Sequence, residues 1–203
     1  MTKYSKEYRK QINKNLRQKT NIYISCEGKT EKTYFESLNS IYKNVYIKAK
    51  YNKKTSAKDV VNNFATLFKN DDIDDNDLKF CAFDKDNNSD KQLEQATKLA
   101  TRNNIRILFS NPCFEIWLYW HFENSRSPKT SSELKNYFLY KDNFQNYVSD
   151  SFLAKKLESK IQQAKTISQN VEITYKRDDI NIYTNDGNPY NSIHTLITCI
   201  LQI

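Results

Sequence analysis

Two short runs of this chain place carboxylates where they could act together. Asn21-Ile-Tyr-Ile-Ser-Cys26 is followed by Glu27 and Gly28, with Glu31 four residues beyond Glu27. Lys79-Phe-Cys-Ala-Phe83 is followed by Asp84, Lys85 and Asp86. Side chains two apart on extended backbone point the same way, so Asp84 and Asp86 can share a direction. Glu27 and Glu31 can face one point if Gly28 opens a helical turn. Carboxylates gathered this way repel at neutral pH, and one takes up a proton unless a cation lies among them. Mg²⁺ accepts oxygen ligands, keeps several waters and also binds phosphate, and Mn²⁺ suits the same ligands. The chemistry suggested is phosphoryl transfer or phosphodiester cleavage, with Glu27, Asp84 and Asp86 as metal ligands. Lys29, Lys32 and Lys85 could meet phosphate as point charges, although each could be a solvated surface residue and Lys32 reads first as one.

Taken singly, each acid has a plainer reading. Glu27 or Asp84 could be a helix cap or a solvated turn. Gly28 is one of only two glycines, and could serve the backbone by supplying an angle that other residues resist. No G-x-x-x-x-G-K-[ST] and no G-x-G-x-x-G occurs, so a phosphate loop is disfavoured. The joint placement of Glu27, Asp84 and Asp86 at two strand ends carries the reading.

The elements that would position these acids follow from hydrophobic periodicity. Strands are expected at 21–26, 45–51, 79–83 and 105–109. Helices are expected at 30–40, after Ser56 and at 90–102. This alternation predicts an α/β fold with a mainly parallel four-stranded sheet. In such a sheet function collects at the carboxyl ends of strands, where Ser110 and Asn111 also fall and become candidate substrate contacts with Gly28, Lys29 and Lys85. Further helices are expected at 114–122, 131–140, 150–169 and 191–203. The division expected is a basic arm at 1–19, an α/β core at 20–124 and a helical extension at 125–203.

Composition sets the bounds. The 203 residues suffice for one domain with a substantial core, and no apolar run is long enough to cross a membrane. The net charge of +8 suits a polyanionic partner such as nucleic acid, though a Lys-, Asn-, Ile- and Tyr-rich composition could produce it by drift. Cys26, Cys81, Cys113 and Cys199 form no C-x-x-C pair and read as small hydrophobes in a reducing cytoplasm.

Glu27-Gly-x-Thr-Glu31 and Phe83-Asp-x-Asp86 together resemble the Toprim fold of topoisomerases, primases and overcoming-lysogenization-defect nucleases. Ser110-Asn-Pro-Cys-Phe-Glu-Ile-Trp-Leu-Tyr-Trp-His-Phe122 is similar to the signature of the RloB family, and Asn188-Pro-Tyr-Asn-Ser-Ile-His-Thr-Leu-Ile197 resembles its closing motif. The resemblance spans about residues 20 to 200. It implies a Toprim-like three-layer sandwich and a metal-dependent nuclease acting in abortive-infection phage defence with a partner ATPase. It also implies Glu27 as general acid/base or ligand, Asp84 and Asp86 as Mg²⁺ ligands, and Glu31 as a second catalytic glutamate. Glu115 could add a ligand or orient a water, or be a helix-start acid favoured by the dipole. His121 and His194 could carry protons or be hydrogen-bonded core residues. Lys85 stands where many members have arginine, keeping the charge and losing the planar fork.

The function expected is Mg²⁺-dependent cleavage of RNA, tRNA included, or DNA. The alternative is a non-catalytic binding or sensing module regulated by the ATPase, with Phe114, Trp117, Leu118 and Trp120 as its interface, although most of those side chains read more simply as ordinary core. A homodimer could form through the apolar C-terminal helix.

Overall fold

A computed structural model describes residues 19–51, 56–86 and 88–203. The basic arm expected at 1–19 lies outside the described residues, Lys19 excepted. Among the described residues the chain builds one five-stranded sheet: β1 (Thr20–Cys26), β2 (Val45–Tyr51), β3 (Leu78–Asp84), β4 (Arg106–Asn111) and β5 (Tyr190–Asn191). Their order is β2-β1-β3-β4-β5. The first four run parallel, and β5 is antiparallel to β4, pairing Ser110 with Asn191 and Asn111 with Tyr190. The four-strand expectation is corrected by β5, whose two residues are too few for a period-2 pattern to register.

The buried runs explain the parallel strands. Ile22 to Cys26 and Phe80 to Phe83 are buried at every position, as strands covered on both faces must be. The right-handed crossover puts α1 (Lys29–Ser37) on one face, and α2 (Ala57–Asn62), α3 (Phe64–Leu67) and α4 (Asp90–Arg102) on the other. Ser25 belongs to the second face, where its Oγ donates to the Val60 carbonyl of α2 at 2.9 Å. Ser56 caps α2 as its residue type suggests, accepting from the Asp59 amide at 3.2 Å. At the outer strand β2, Lys48 and Lys50 both bind Asp71, so the acidic stretch 71–75 is anchored at one end by the sheet edge.

After β4 the chain forms α5 (Glu115–Tyr119), α6 (Ser131–Leu139), α7 (Leu153–Leu157), α8 (Ile161–Arg177) and α9 (Ile193–Leu201). The helix expected over 150–169 is corrected: a 3₁₀ turn at Glu158–Lys160 splits it, and α8 runs on to Arg177. With no Pro or Gly in that stretch, α8 stops only near Asp179, whose φ is 52°. Phe114, Trp117, Leu118 and Trp120 are buried, so they form core as the simpler reading expects, and the partner-facing alternative falls away. Each tryptophan removes on the order of 200 Å² from water, about 5 kcal/mol of hydrophobic stabilisation. The apolar face of α9 (Ile193, Leu196, Ile197, Ile200) is likewise spent inside the chain, against α8 and β4. The C-terminal part is tied throughout to the α/β part: Ser37 Oγ accepts from Ala154 N at 2.9 Å, and Asn44 Nδ2 donates to Ile200 O at 3.0 Å.

All four cysteines are free, and Cys26, Cys81 and Cys113 are buried. Among the described residues no helix is long and apolar enough to cross a membrane.

Candidate functional site

From β1 the chain steps outward to β2, and from β3 it steps the other way to β4. The connections therefore diverge between the carboxyl ends of β1 and β3, where an open parallel sheet leaves a crevice. A cleft of about 210 Å³ lies there, lined by Glu27, Glu31, Asp84, Asp86 and Glu115, with Gly28, Lys29, Thr30, Phe114 and Lys135.

Each acid is placed by local backbone. Cys26 pairs with Ala82 across the sheet, and the Glu27 amide donates to the Ala82 carbonyl at 2.9 Å, extending the ladder by one residue. Glu27 Oε2 then accepts from the Asp84 amide at 3.2 Å, so the first two strand ends are joined through this carboxylate. Gly28 precedes α1 with φ −123° and ψ 175°, an extended conformation open to any residue. The reading of Gly28 as an angle other residues resist is thereby corrected: its role is room. A Cβ there would stand 2.6 Å from Glu31 Oε2. Glu31, in the first turn of α1, folds back so that Oε1 accepts from the Gly28 amide at 3.2 Å. Asp86 is held from the far side by Ser131 Oγ at 3.0 Å, and its amide donates to Pro112 O at 3.1 Å. Glu115 opens α5 and is buried, with Oε1 accepting from Tyr147 Oη at 2.9 Å.

The crowding has an electrostatic signature. Burial first, and then the charges of Glu115 and Glu27, push the Glu31 carboxyl up to about 7. Burial and the neighbours Glu31, Glu27, Glu115 and Asp86 raise Asp84 well above the usual carboxylate range. Lys135, one turn after Ser131 on α6, answers them. Burial works against its charge, but Glu115, Cys113, Asp86 and Asp84 outweigh it and hold the ammonium more firmly protonated than usual. Lys135, Ser131 and Tyr147 come from the C-terminal part. Nothing in their sequence setting marks them, since Lys135 is one lysine on an amphipathic helix.

Other expected site residues lie elsewhere. Lys85 Nζ donates to Asn88 O and pairs with Asp90 Oδ1, both at 2.9 Å, and does not line the cleft. Asn88 in turn donates to Asp84 O at 2.8 Å and accepts from Ala57 N at 2.8 Å, so Lys85 steadies the loop that carries the aspartates. Ser110 and Asn111 are buried. Ser110 Oγ accepts from Asn191 Nδ2 at 3.0 Å, and Asn111 Nδ2 donates to Ile182 O at 3.0 Å and Thr184 O at 2.8 Å. The added strand β5 covers this end of β4 and takes the Ser110 side chain, while the segment 182–184 leading to it takes that of Asn111.

The histidines resolve differently from a proton-carrier role. His121 is fully buried against Trp117, its Nδ1 paired with Trp117 O at 2.9 Å, and burial lowers it to about 4. It is a neutral core residue outside the cleft. His194 Nδ1 pairs with Ser168 Oγ at 2.7 Å and Nε2 with Glu172 Oε2 at 2.7 Å, while Ser168 Oγ donates to Asn191 O. That cluster fastens α8 to β5 and α9.

Among the described residues no group of three His, Cys, Asp or Glu side chains stands arranged as it is to hold a metal ion. The donor set nonetheless fits a hard divalent cation. All five acids of the cleft are oxygen donors, Glu31 and Asp84 are driven toward protonation by burial and by the acids around them, and Mg²⁺ needs only one or two carboxylates beside its waters. Glu27, Asp84 and Asp86 are the residues that could hold it. A family model described as RloB-like protein matches residues 22–200. No curated protein and no solved structure matches the chain.

Proposed function

The chain belongs to the RloB-like family, and on that premise we propose that it is a metal-dependent nuclease that hydrolyses phosphodiesters in the cleft between β1 and β3. The observation that carries the reading is the convergence of Glu27, Glu31, Asp84, Asp86 and Glu115 on one cleft at the switch point of the sheet. The resemblance of Glu27-Gly-x-Thr-Glu31 and Phe83-Asp-x-Asp86 to Toprim motifs supports a Toprim-like identity for the α/β part, with helices on both faces of the sheet. The similarity of residues 110–122 to the RloB signature supports a role as effector of an abortive-infection system working with a partner ATPase.

Mg²⁺ or Mn²⁺ held by Glu27, Asp84 and Asp86 would neutralise phosphate charge and make a bound water more acidic. The chain's own groups do the rest. Glu31, with its carboxyl near neutrality, can take a proton at one oxygen while the other keeps the Gly28 amide. Lys135 supplies a fixed cation for a phosphate oxygen, and exposed Lys29 guides the strand at the mouth. Tyr147 holds Glu115 so that its carboxylate stays aimed at the cleft. Ser131 does the same for Asp86.

The test is incubation of the purified protein with tRNA, other RNA and duplex DNA, with Mg²⁺ or Mn²⁺ or with EDTA, and with and without the ATPase. Cleavage that requires the cation and disappears in Asp84→Ala, with the fold intact by circular dichroism, is expected. Full cleavage by Asp84→Ala, or none by the native protein under any of these conditions, would remove the mechanism. In the second case the non-catalytic binding module becomes the better reading.

A further inference from the structure

A second groove of about 500 Å³ lies beyond the other end of α5, bounded by Phe122, Asn124 and Arg126 on one side and by Gln162, Gln163, Thr166, Ile167 and Asn170 of α8 on the other. It shares no residue with the acidic cleft. From Glu115 to Phe122 the chain rises roughly 10 Å. The groove is lined mainly by amides, a hydroxyl and a guanidinium, which can both give and accept hydrogen bonds. At its edge the Phe122 ring carries two ammonium groups, Lys141 Nζ at 4.1 Å and Lys160 Nζ at 4.5 Å from the ring centre. Lys141 also lies 4.9 Å from the centre of the Tyr137 ring and donates to Tyr137 Oη. Among the described residues no carboxylate forms an ion pair with Arg126, Lys141 or Lys160. The nearby acid Glu123 accepts from Tyr137 Oη at 2.9 Å.

We infer that this groove binds single-stranded nucleic acid, a reading that rests on the proposed nuclease function and adds a holding site to the cutting one. Cations placed together without acids suit a polyanion. An acidic peptide would need those cations alone. The amide-lined floor suits bases, whose edges offer mixed donors and acceptors, while the Phe122 ring holds the two ammonium groups at its rim. Phosphates would lie along Arg126, Lys141 and Lys160. Asn124, Gln162 and Asn170, exposed and on facing sides of the groove, would meet the bases.

The experiment measures binding of a fluorescent single-stranded oligoribonucleotide by anisotropy, in EDTA so that cleavage does not intervene, over a range of salt. The Arg126→Gln/Lys141→Gln/Lys160→Gln variant is expected to bind at least about tenfold more weakly, and the slope of log K against log salt is expected to flatten by about 0.7 per cation removed. Native binding that survives the triple change, absence of native binding, or equal displacement by poly-glutamate would each overturn the inference. Ultraviolet crosslinking of the native protein offers a check independent of folding: the crosslinked peptide must contain Phe122 or lie within 160–170, and a crosslink only elsewhere refutes the site. Groove binding without any metal-dependent cleavage would sink the nuclease reading and leave the groove standing. Cleavage without groove binding would do the reverse.

Discussion

The cleft at the ends of β1 and β3 and the cluster around His194 both sequester titratable side chains, and they treat them in opposite ways. In the cluster, His194 is held at both ring nitrogens, and Glu172, though burial opposes it, is kept below the usual carboxylate range by Lys176 and His194. In the cleft, five acids face one another, and burial with mutual repulsion drives Glu31 and Asp84 upward. Polar groups that satisfy one another stabilise a fold. Like charges that do not are tolerated where a ligand is to arrive.

That contrast can be broken most decisively at Asp84. Asp84→Asn should reduce cleavage to background while leaving the metal-free protein at least as stable as the native one, because it removes repulsion. A large fall in its melting temperature would place Asp84 among the structural acids. Glu31→Gln should lower the cleavage rate by about 10²- to 10⁴-fold in single-turnover assays if Glu31 moves the proton. On the other side, His194→Ala should cost about 2 kcal/mol in denaturant titrations, since it leaves a cavity and removes one partner each from Glu172, which keeps Lys176, and from Ser168, which keeps Asn191 O, and should leave the cleavage rate of the folded fraction unchanged.

The acidity of Glu31 provides a finer test. Its folded carboxyl releases a proton at about 7, against an ordinary value of 4.5. Between these values the folded state holds the proton longer than the unfolded one. Its contribution to stability therefore falls as pH rises from 4.5 to about 7 and is constant beyond. In metal-free buffer, the difference between native protein and Glu31→Gln should show that slope, and a flat difference would mean Glu31 is not strained by its surroundings. The smallest expected effect on stability belongs to Gly28→Ala. The new Cβ would meet only the mobile end of Glu31, so the melting temperature should shift by less than a few degrees, while cleavage falls as the carboxylate is displaced.

What could be read from the residues follows the same division. Glu27, Glu31, Asp84 and Asp86 were legible because each sits where an apolar strand stops or a helix starts, and the parallel alternation puts those points on one edge; Glu115 was legible only through its place in the signature at 110–122. Ser110 and Asn111 stand at an equivalent point, yet β5 returns from the end of the chain to cover them, and no local pattern announces a two-residue strand. Lys85 follows the rule for neighbours of a site, but its amide donates to Ser110 O at 2.9 Å and its side chain turns to Asn88 and Asp90. Ser131, Lys135 and Tyr147 reach the cleft only through tertiary packing of α6 and the 3₁₀ turn at Tyr147–Ser149. Periodicity identifies such elements and is silent on what they will touch.

The return of β5 to the sheet also has a temporal side. β4 gains its last neighbour only once residue 190 has emerged, after the helices that bring Ser131, Lys135 and Tyr147. On the ribosome the acids of β1 and β3 therefore wait for the chain to pass Tyr147 before their own surroundings are complete, and the sheet beside them waits longer still, for β5. A nascent fragment stalled short of Tyr147 would carry the acids without the side chains that wall their cleft.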